Sequence, residues 1–98
     1  MARLIWSRRA KDHLRRIRRN IANDSPHAAK QVATRLTRAT RRLEQFPFSG
    51  RVVPEDPAGE LREIIVPPYR IMYEVKDDVV EIVALRHGAQ NLTDLRDE

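Results

Sequence analysis

The sequence predicts an α+β domain in which a short N-terminal strand and an antiparallel helical hairpin pack on a sheet. Two observations support this prediction. Apolar residues recur at steps of three and four through residues 8–46, which is the spacing of amphipathic helices. Residues 61–85 instead form alternating apolar and polar runs, which are typical of half-buried strands. Packing the sheet on the hairpin buries both apolar sets, and 98 residues suffice for one modest core, so we expect a single domain over residues 1–98.

The first elements are a short strand over residues 3–6 and a helix that begins after Ser7. The side-chain oxygen of Ser7 is suited to accept hydrogen bonds from the free amides of a first helical turn. The apolar residues that follow at helical spacing are Ala10, Leu14, Ile17 and Ile21. Arginine and lysine fill most positions between them, so this helix should have a narrow apolar stripe and a cationic exterior.

A second helix begins at the motif Asn23-Asp24-Ser25-Pro26. Ser25 is a favourable N-cap residue, and proline fits the first helical position because no amide hydrogen is needed there. The apolar residues that follow at steps of three and four are Ala29, Val32, Leu36, Ala39, Leu43 and Phe46. The pattern is stronger than that of the first helix, and the short connection predicts an antiparallel hairpin.

Prolines and glycines interrupt the periodicity between residues 47 and 59. A loop of about a dozen residues is long for a compact domain, which suggests a functional role. We predict strands over residues 61–66, 69–76 and 79–85, with a hairpin turn at residues 76–78. Pro67-Pro68 is expected to exclude a regular ladder between the first two of these strands. Residues 89–98 are expected to be frayed or to form a short helix.

Charge is divided unevenly along the chain. The formal net charge is +5, but residues 1–51 contain 14 Lys/Arg and 3 Asp/Glu whereas residues 52–98 contain 5 and 11, so the two parts carry +11 and −6. This asymmetry suggests that the first part faces a polyanion or an acidic protein partner. A heavily solvated pair of helices explains the charge equally well.

The composition also excludes several classes of protein. Hydrophobic residues make up 41% and charged residues 34%, which fits a compact domain better than a disordered tail. The absence of cysteine excludes disulfides and thiolate chemistry and suits a reducing cytoplasm. No run of the sequence approaches the roughly 20 apolar residues that cross a bilayer, and the N-terminus lacks the apolar region of a secretory signal. We therefore expect a cytoplasmic protein with no membrane partner.

Six residues on or beside the predicted sheet carry basic, aromatic or imidazole groups that could contact a target or a partner. They are Arg51, Arg62, Arg70, Tyr73, Arg86 and His87. A titrating imidazole could also act as an acid or base. His13 and His27 are predicted on helical surfaces at no spacing that suggests a metal, so neither a metal nor a cofactor is expected.

Each candidate has a structural alternative. Arg70 could form a cross-strand ion pair, for which the available carboxylates are Glu63, Glu74 and Glu81. Arg62 could be an ordinary solvent-facing strand residue, and Arg51 could bind phosphate or merely end the loop. Tyr73 is expected to be a packed ring with its hydroxyl at the rim, and His87 could simply hydrogen-bond backbone groups.

The order of several short motifs resembles one protein family over nearly the whole chain. After the first strand and the two helices, these motifs are P-x-S-G-R, L-R-E-I-x-V, Y-R-I-x-Y, an acidic turn and V-x-I-x-x-x-R-H-G. Together they resemble the RelE/ParE superfamily of toxins from type II toxin–antitoxin modules. The resemblance implies a curved, mainly antiparallel sheet packed against an N-terminal helical hairpin. It also implies a growth-inhibiting toxin that forms a hetero-oligomer with a cognate antitoxin, which wraps an extended or helical segment around it.

The resemblance leaves two targets open. RelE-like members cleave messenger RNA in the ribosome with clustered basic residues and an acid or base. Arg70 matches one of these basic residues, Arg62 lies near the region where further lysines occur in that branch, and His87 could replace the terminal acid or base. ParE-like members poison DNA gyrase and need no nuclease centre. The ending R-H-G-A, the lack of a lysine cluster near residues 61–66 and the lack of a tyrosine in the tail favour the ParE-like reading, in which the protein is not an enzyme. A non-toxic module that binds nucleic acid or protein is a further alternative, although the aromatic content is only 5%.

Overall fold

The computed structural model describes residues 1–88. The helices and strands in chain order are β1 (Arg3–Trp6), α1 (Arg8–Ala22), α2 (Pro26–Arg41), β2 (Arg51–Val52), β3 (Arg62–Val66), β4 (Tyr69–Lys76) and β5 (Val79–His87), with a 3₁₀ turn over Arg42–Glu44 after α2. The strands form one sheet in the order β1-β5-β4-β3-β2. Within residues 1–88 the β1–β5 pair is parallel and the other three strand pairs are antiparallel. Two helices with a mixed, mainly antiparallel sheet confirm the predicted α+β class.

The two helices begin where the sequence predicted. The Ser7 hydroxyl oxygen accepts a hydrogen bond from the Ala10 amide at 3.0 Å, and the Ser25 oxygen accepts one from the Ala28 amide at 3.1 Å. Pro26 is the first residue of α2. Each serine thereby satisfies one of the amides that a helix leaves without an internal partner.

The hairpin packs on one face of the sheet and buries the main core there. From the helical side this core takes Ala10, Leu36 and Leu43. From the sheet it takes Ile71, Tyr73, Val80, Ile82 and Leu85. A smaller cluster of Val53, Leu61, Met72 and Ala84 forms a second core beneath the loop that precedes β3. None of the helices within residues 1–88 is long and apolar enough to cross a membrane.

Two sequence expectations about the elements were wrong, and one strand was missed. Phe46 was assigned to the apolar stripe of the second helix, but α2 ends at Arg41 and Phe46 lies beyond the 3₁₀ turn with 59% of its surface exposed. Pro67-Pro68 does not prevent a ladder between β3 and β4, which pair from Arg62↔Tyr73 to Val66↔Tyr69. The prolines occupy the turn itself, so the ladder loses no amide donor. The two-residue strand β2 was not predicted, and the expectation for residues 89–98 lies outside the described residues.

The loop between the 3₁₀ turn and β3 is tied to the sheet by hydrogen bonds. The Asp56 carboxylate accepts hydrogen bonds from the amides of Glu60 and Leu61 at 2.9 and 2.8 Å. Further along the sheet, the Gly50 amide donates to the Tyr73 hydroxyl at 2.9 Å. A β-carbon at Gly50 would lie 2.5 Å from the Glu63 carbonyl oxygen, so only glycine allows this approach. The long loop is therefore an ordered part of the fold.

Candidate functional site

A network of four charged side chains occupies the face of the sheet that points away from the helices. Ile71 and Tyr73 pack on the helical core, so the alternation along β4 places Arg70 on the opposite face. The Arg70 Nε donates to Glu63 Oε1 at 2.6 Å, and the two terminal nitrogens of Arg70 donate to the two oxygens of Glu55 at 3.0 Å each. The second Glu63 oxygen accepts from Arg51 Nε at 2.5 Å. We call Arg51, Glu55, Glu63 and Arg70 the sheet network.

Two members of the sheet network are buried, so their ion pair also contributes to the stability of the fold. The side chains of Glu63 and Arg70 are 0% and 9% exposed. A buried charge is tolerated only when it is paired and hydrogen-bonded, because desolvation penalises an isolated ion strongly. The hydrogen bonds from Arg70 lower the pKa of the Glu55 carboxyl, and those from Glu55 and Glu63 raise the pKa of Arg70. Both shifts keep the network ionised.

Arg62 lies at the other end of β3 and holds the segment that leads into β2. Its Nη1 donates to the Gly50 carbonyl oxygen at 2.8 Å and to the Phe48 carbonyl oxygen at 3.4 Å. Its guanidinium carbon also lies 5.1 Å from the centre of the Phe48 ring, within the range of a cation–π interaction. Phe48 remains 64% exposed, so this pair presents an aromatic surface beside the sheet edge.

Arg86 is adjacent to Arg70 in the strand register, but its side chain has different partners. The two residues are paired across β4 and β5, yet Arg86 Nη1 lies 3.0 Å from both ring nitrogens of His13 on α1. His13 Nδ1 also accepts a hydrogen bond from the Leu85 amide at 3.1 Å. His13 was expected on a helical surface, but it is only 8% exposed. It lies one helical turn from the buried Ala10, and this spacing was the signal that could have identified it.

His87 is exposed to solvent at the end of β5. Its ring lies 5.9 Å from the ring of Tyr69 in an edge-to-face arrangement, and Tyr69 pairs with it across β4 and β5. The two rings border a cavity of about 280 Å³ between α1 and the end of the sheet, which Arg16, Asn20 and Arg86 also line. No group of three or more potential metal ligands occurs within residues 1–88.

Residues 4–92 match the family model described as the ParE toxin of the type II toxin–antitoxin system parDE. This chain belongs to the ParE toxin family. It is 42% identical to Toxin RelE2 from Caulobacter vibrioides over 91 residues, which cover 92% of this chain and 99% of that protein. It is also similar to a solved structure from the chromosomal ParDE TA system of P. aeruginosa, with a TM-score of 0.76 and 22% identity over 89% of this chain and 96% of that one. At that identity the structural likeness supports the fold alone.

The family assignment confirms the resemblance to the RelE/ParE superfamily. The protein is a toxin of a type II toxin–antitoxin system, and such a toxin implies an antitoxin partner. The relatives carry both branch names of the superfamily, so their names do not decide the target.

The structure separates the six candidates into three places. Arg51 and Arg70 meet in the sheet network. Of the three carboxylates considered for Arg70, Glu63 is the one that pairs with it, and Glu55 was missed. Arg62 contacts the turn at Gly50. Tyr73 was expected to have its hydroxyl at the rim, but it is 0% exposed and burial raises the pKa of its hydroxyl. In this conformation it has no surface with which to contact a partner.

The remaining two candidates lie together at the far end of β5. Arg86 is 5% exposed and is held against His13, whereas the neighbouring His87 is exposed to solvent. Hence only Arg51, Arg62 and His87 present substantial surface from this set, and they do not form one compact cluster of hydrogen-bonded groups.

Proposed function

We propose that this toxin arrests growth by binding DNA gyrase through a contact surface and that it does not cleave messenger RNA. The observation that carries the proposal is the state of Arg70. Its three side-chain nitrogens all donate to carboxylate oxygens, two to Glu55 and one to Glu63. An arginine held in this way is not available to bind a phosphate.

The chemistry of RNA cleavage explains why this matters. Attack of a ribose hydroxyl on the adjacent phosphate develops negative charge, which a nuclease stabilises with positioned cations while an acid and a base move protons. In the sheet network two arginines are matched by two carboxylates, so the site offers no net positive charge to a dianionic transition state. A scissile phosphate near Arg70 would also approach the carboxylates of Glu55 and Glu63, and this repulsion opposes binding.

Ribosome-dependent cleavage of messenger RNA is the second candidate. One observation favours it, which is the exposed imidazole of His87 beside Tyr69 and above a cavity that Arg16 lines. An imidazole can serve as a general acid or base. The similarity to Toxin RelE2 keeps this candidate open.

The antitoxin, as proposed here, binds the exposed edge of β3 in the cytoplasm and forms a toxin–antitoxin hetero-oligomer. Strand β2 pairs only with Arg62 and Glu63, so within residues 1–88 the outer edge of residues 64–66 has no strand partner. Ile65 on this edge is 50% exposed, and Phe48 lies beyond the opposite end of β3. An extended apolar segment can add to such an edge through backbone hydrogen bonds while its side chains cover apolar surface.

Two assays run side by side test the target. Purified toxin is added to gyrase in a supercoiling assay, and ribosome-bound messenger RNA is mapped by primer extension after exposure to the same preparation. His87→Ala is compared with His27→Ala, which removes an exposed imidazole from α2. The proposal expects the wild type and both variants to inhibit supercoiling to a similar extent and to leave messenger RNA intact.

The nuclease alternative predicts different results for the two variants. Loss of a general acid or base lowers a rate by about 10²–10⁴-fold, so His87→Ala would abolish cleavage and His27→Ala would not. Codon-phased cuts by the wild type and by His27→Ala that disappear in His87→Ala, with supercoiling unaffected, would overturn the gyrase proposal and leave the family assignment intact. Growth arrest on expression of the chain, reversed by co-expression of its antitoxin, is the shared requirement of both mechanisms.

A further inference from the structure

A continuous cationic groove runs between the two helices of the hairpin on their solvent-exposed side. Two adjoining depressions form it, and they share Arg18 and Lys30 as lining residues. The basic residues that line the groove are Arg15, Arg18 and Arg19 of α1 and Lys30, Arg38 and Arg41 of α2. All six are exposed, and among residues 1–88 no acidic residue lines either depression. We call this feature the hairpin groove.

The charges of the hairpin groove are not neutralised by the rest of the described chain. Arg15 forms an ion pair with Asp12 at 2.6 Å, but both side chains are more than half exposed, and such a pair is worth only about 0–1 kcal/mol. The other five cations form no ion pair with any residue in 1–88. The groove therefore concentrates positive potential that a polyanion can neutralise.

The floor of the hairpin groove is unsuited to an amphipathic protein helix. Apart from the cations, it is made mainly of small residues, Ala22, Ala29, Ala33, Thr34 and Thr37, and its larger apolar members are Leu14 and Pro26. The large apolar side chains that residues 1–88 expose lie elsewhere, at Met1, Ile5, Phe46, Phe48, Val52 and Ile65. A partner that buries an apolar stripe would gain little contact area in the groove, whereas a ligand that offers only negative charge needs none.

We propose that the hairpin groove binds the phosphate backbone of duplex DNA without sequence preference. From Lys30 to Arg41 the groove follows α2 for 11 residues, or about 16 Å at a rise of about 1.5 Å per residue. Duplex DNA carries one charge per about 1.7 Å of its axis, so several phosphates face a groove of this length at once. No aromatic side chain lines the groove, and single strands are commonly held by stacking on aromatic rings, so a duplex is the better match.

The inference goes beyond the proposed gyrase target and does not depend on it, because binding is measured with DNA alone. DNA binding by the hairpin groove would nonetheless affect how the toxin binds gyrase. Gyrase acts on duplex DNA, so a toxin that holds the DNA backbone through α1 and α2 can bind enzyme and DNA together, and linking two binding surfaces raises the overall affinity.

The experiment uses the full chain and a fluorescent duplex of about 20 base pairs, followed by anisotropy at several NaCl concentrations. Each phosphate contact contributes about −0.9 to the slope of log K against log salt, so six contacts give a slope of about −5. The triple variant Arg18→Gln, Lys30→Gln and Arg38→Gln removes three groove charges and should reduce the magnitude of the slope by about 2.7. Glutamine is a good helix former, so the helices should persist, and thermal melts monitor folding.

The matched control removes the same charge from exposed cations outside the groove, as Arg3→Gln, Arg8→Gln and Lys76→Gln. The proposal expects the control to keep the wild-type slope. Equal losses of slope in the two triples would overturn it, because binding would then follow net charge and not the groove. A glutamate-rich peptide of the same charge is titrated in parallel. If the groove triple weakens binding of the peptide but leaves duplex binding unchanged, the groove serves an acidic protein and the DNA assignment is wrong.

Discussion

The substitution Glu63→Gln tests whether the sheet network holds Arg70 in place. Glutamine keeps the shape of the side chain but removes its negative charge and turns one of its two oxygens into an amide group that faces a guanidinium. Glu63 is the appropriate position because its side chain is 0% exposed and bridges Arg51 and Arg70.

The size of the effect follows from the contacts that remain. Removing one partner of a buried ion pair destabilises a protein by about 3–5 kcal/mol. Arg70 keeps its two hydrogen bonds to Glu55, and Arg51 can return to water because its side chain is 61% exposed. Both features place the expected loss near the lower limit, at about 3 kcal/mol. For a domain of this size, 1 kcal/mol corresponds to about 4–8 °C in Tm, so the melting temperature should fall by about 12–24 °C.

Thermal unfolding followed by circular dichroism measures this loss, with Glu60→Gln as the matched control. Glu60 is exposed, and its side chain forms no ion pair within residues 1–88. The control should shift Tm by no more than about 2–4 °C, because surface substitutions change the free energy of unfolding by about 0.5 kcal/mol or less. Equal shifts for Glu63→Gln and Glu60→Gln would refute the reasoning. Arg70 would then be free to leave the network, and the main argument against a nuclease would be lost.

Two further predictions concern the core and the pH dependence of stability. Leu36→Ala should lower the free energy of unfolding by about 2–5 kcal/mol, because Leu36 is 0% exposed in the core between the helices and the sheet. Arg38→Ala on the exposed side of α2 should change the free energy of unfolding much less. Chemical denaturation measures both variants, and similar midpoints would mean that the buried face of α2 is misassigned. Glu55 has a pKa below its ordinary value because of its hydrogen bonds from Arg70, so its stabilising charge is fully present above the ordinary pKa of 4.5 and is lost as the pH falls through the lower folded-state pKa. Wild type should therefore lose stability faster than Glu55→Gln on acidification from about pH 5 to pH 3, and parallel curves would contradict this.

The helices and the long strands could be predicted from sequence because their signals are local. Ser7 and Ser25 mark the helix starts, and the apolar spacing within α2 identifies Leu36 as buried. The end of α2 was harder, since the apolar spacing continues to Phe46 after the backbone has left the helix. Strand β2 was missed because two residues in a proline-rich segment carry no periodicity, and their pairing depends on where β3 lies.

The candidate site was predictable only in part, because some of its contacts depend on tertiary packing and not on local sequence. Carboxylates on the neighbouring strands could be named in advance, and Glu63, one of three considered for Arg70, is its diagonal neighbour across β3 and β4. Glu55 comes from an irregular loop, and its position is fixed by Asp56, which accepts hydrogen bonds from three loop amides. No local pattern specifies such a loop. The burial of His13 likewise depends on the packing of α1 against β5, which brings it to the Leu85 amide and to Arg86.

The uneven charge of the sequence corresponds to two different surfaces of the toxin, the exposed side of the helical hairpin and the far face of the sheet. Many cations of the first part lie on exposed helical faces, where the described carboxylates leave most of them unmatched, as in the hairpin groove. On the far face of the sheet, two carboxylates of the acidic part instead neutralise Arg51 and Arg70. Positive potential is thus concentrated on the hairpin and cancelled within the sheet network. A phosphate-bearing ligand should therefore be drawn to the helices, although the residues that first suggest a nuclease lie on the sheet.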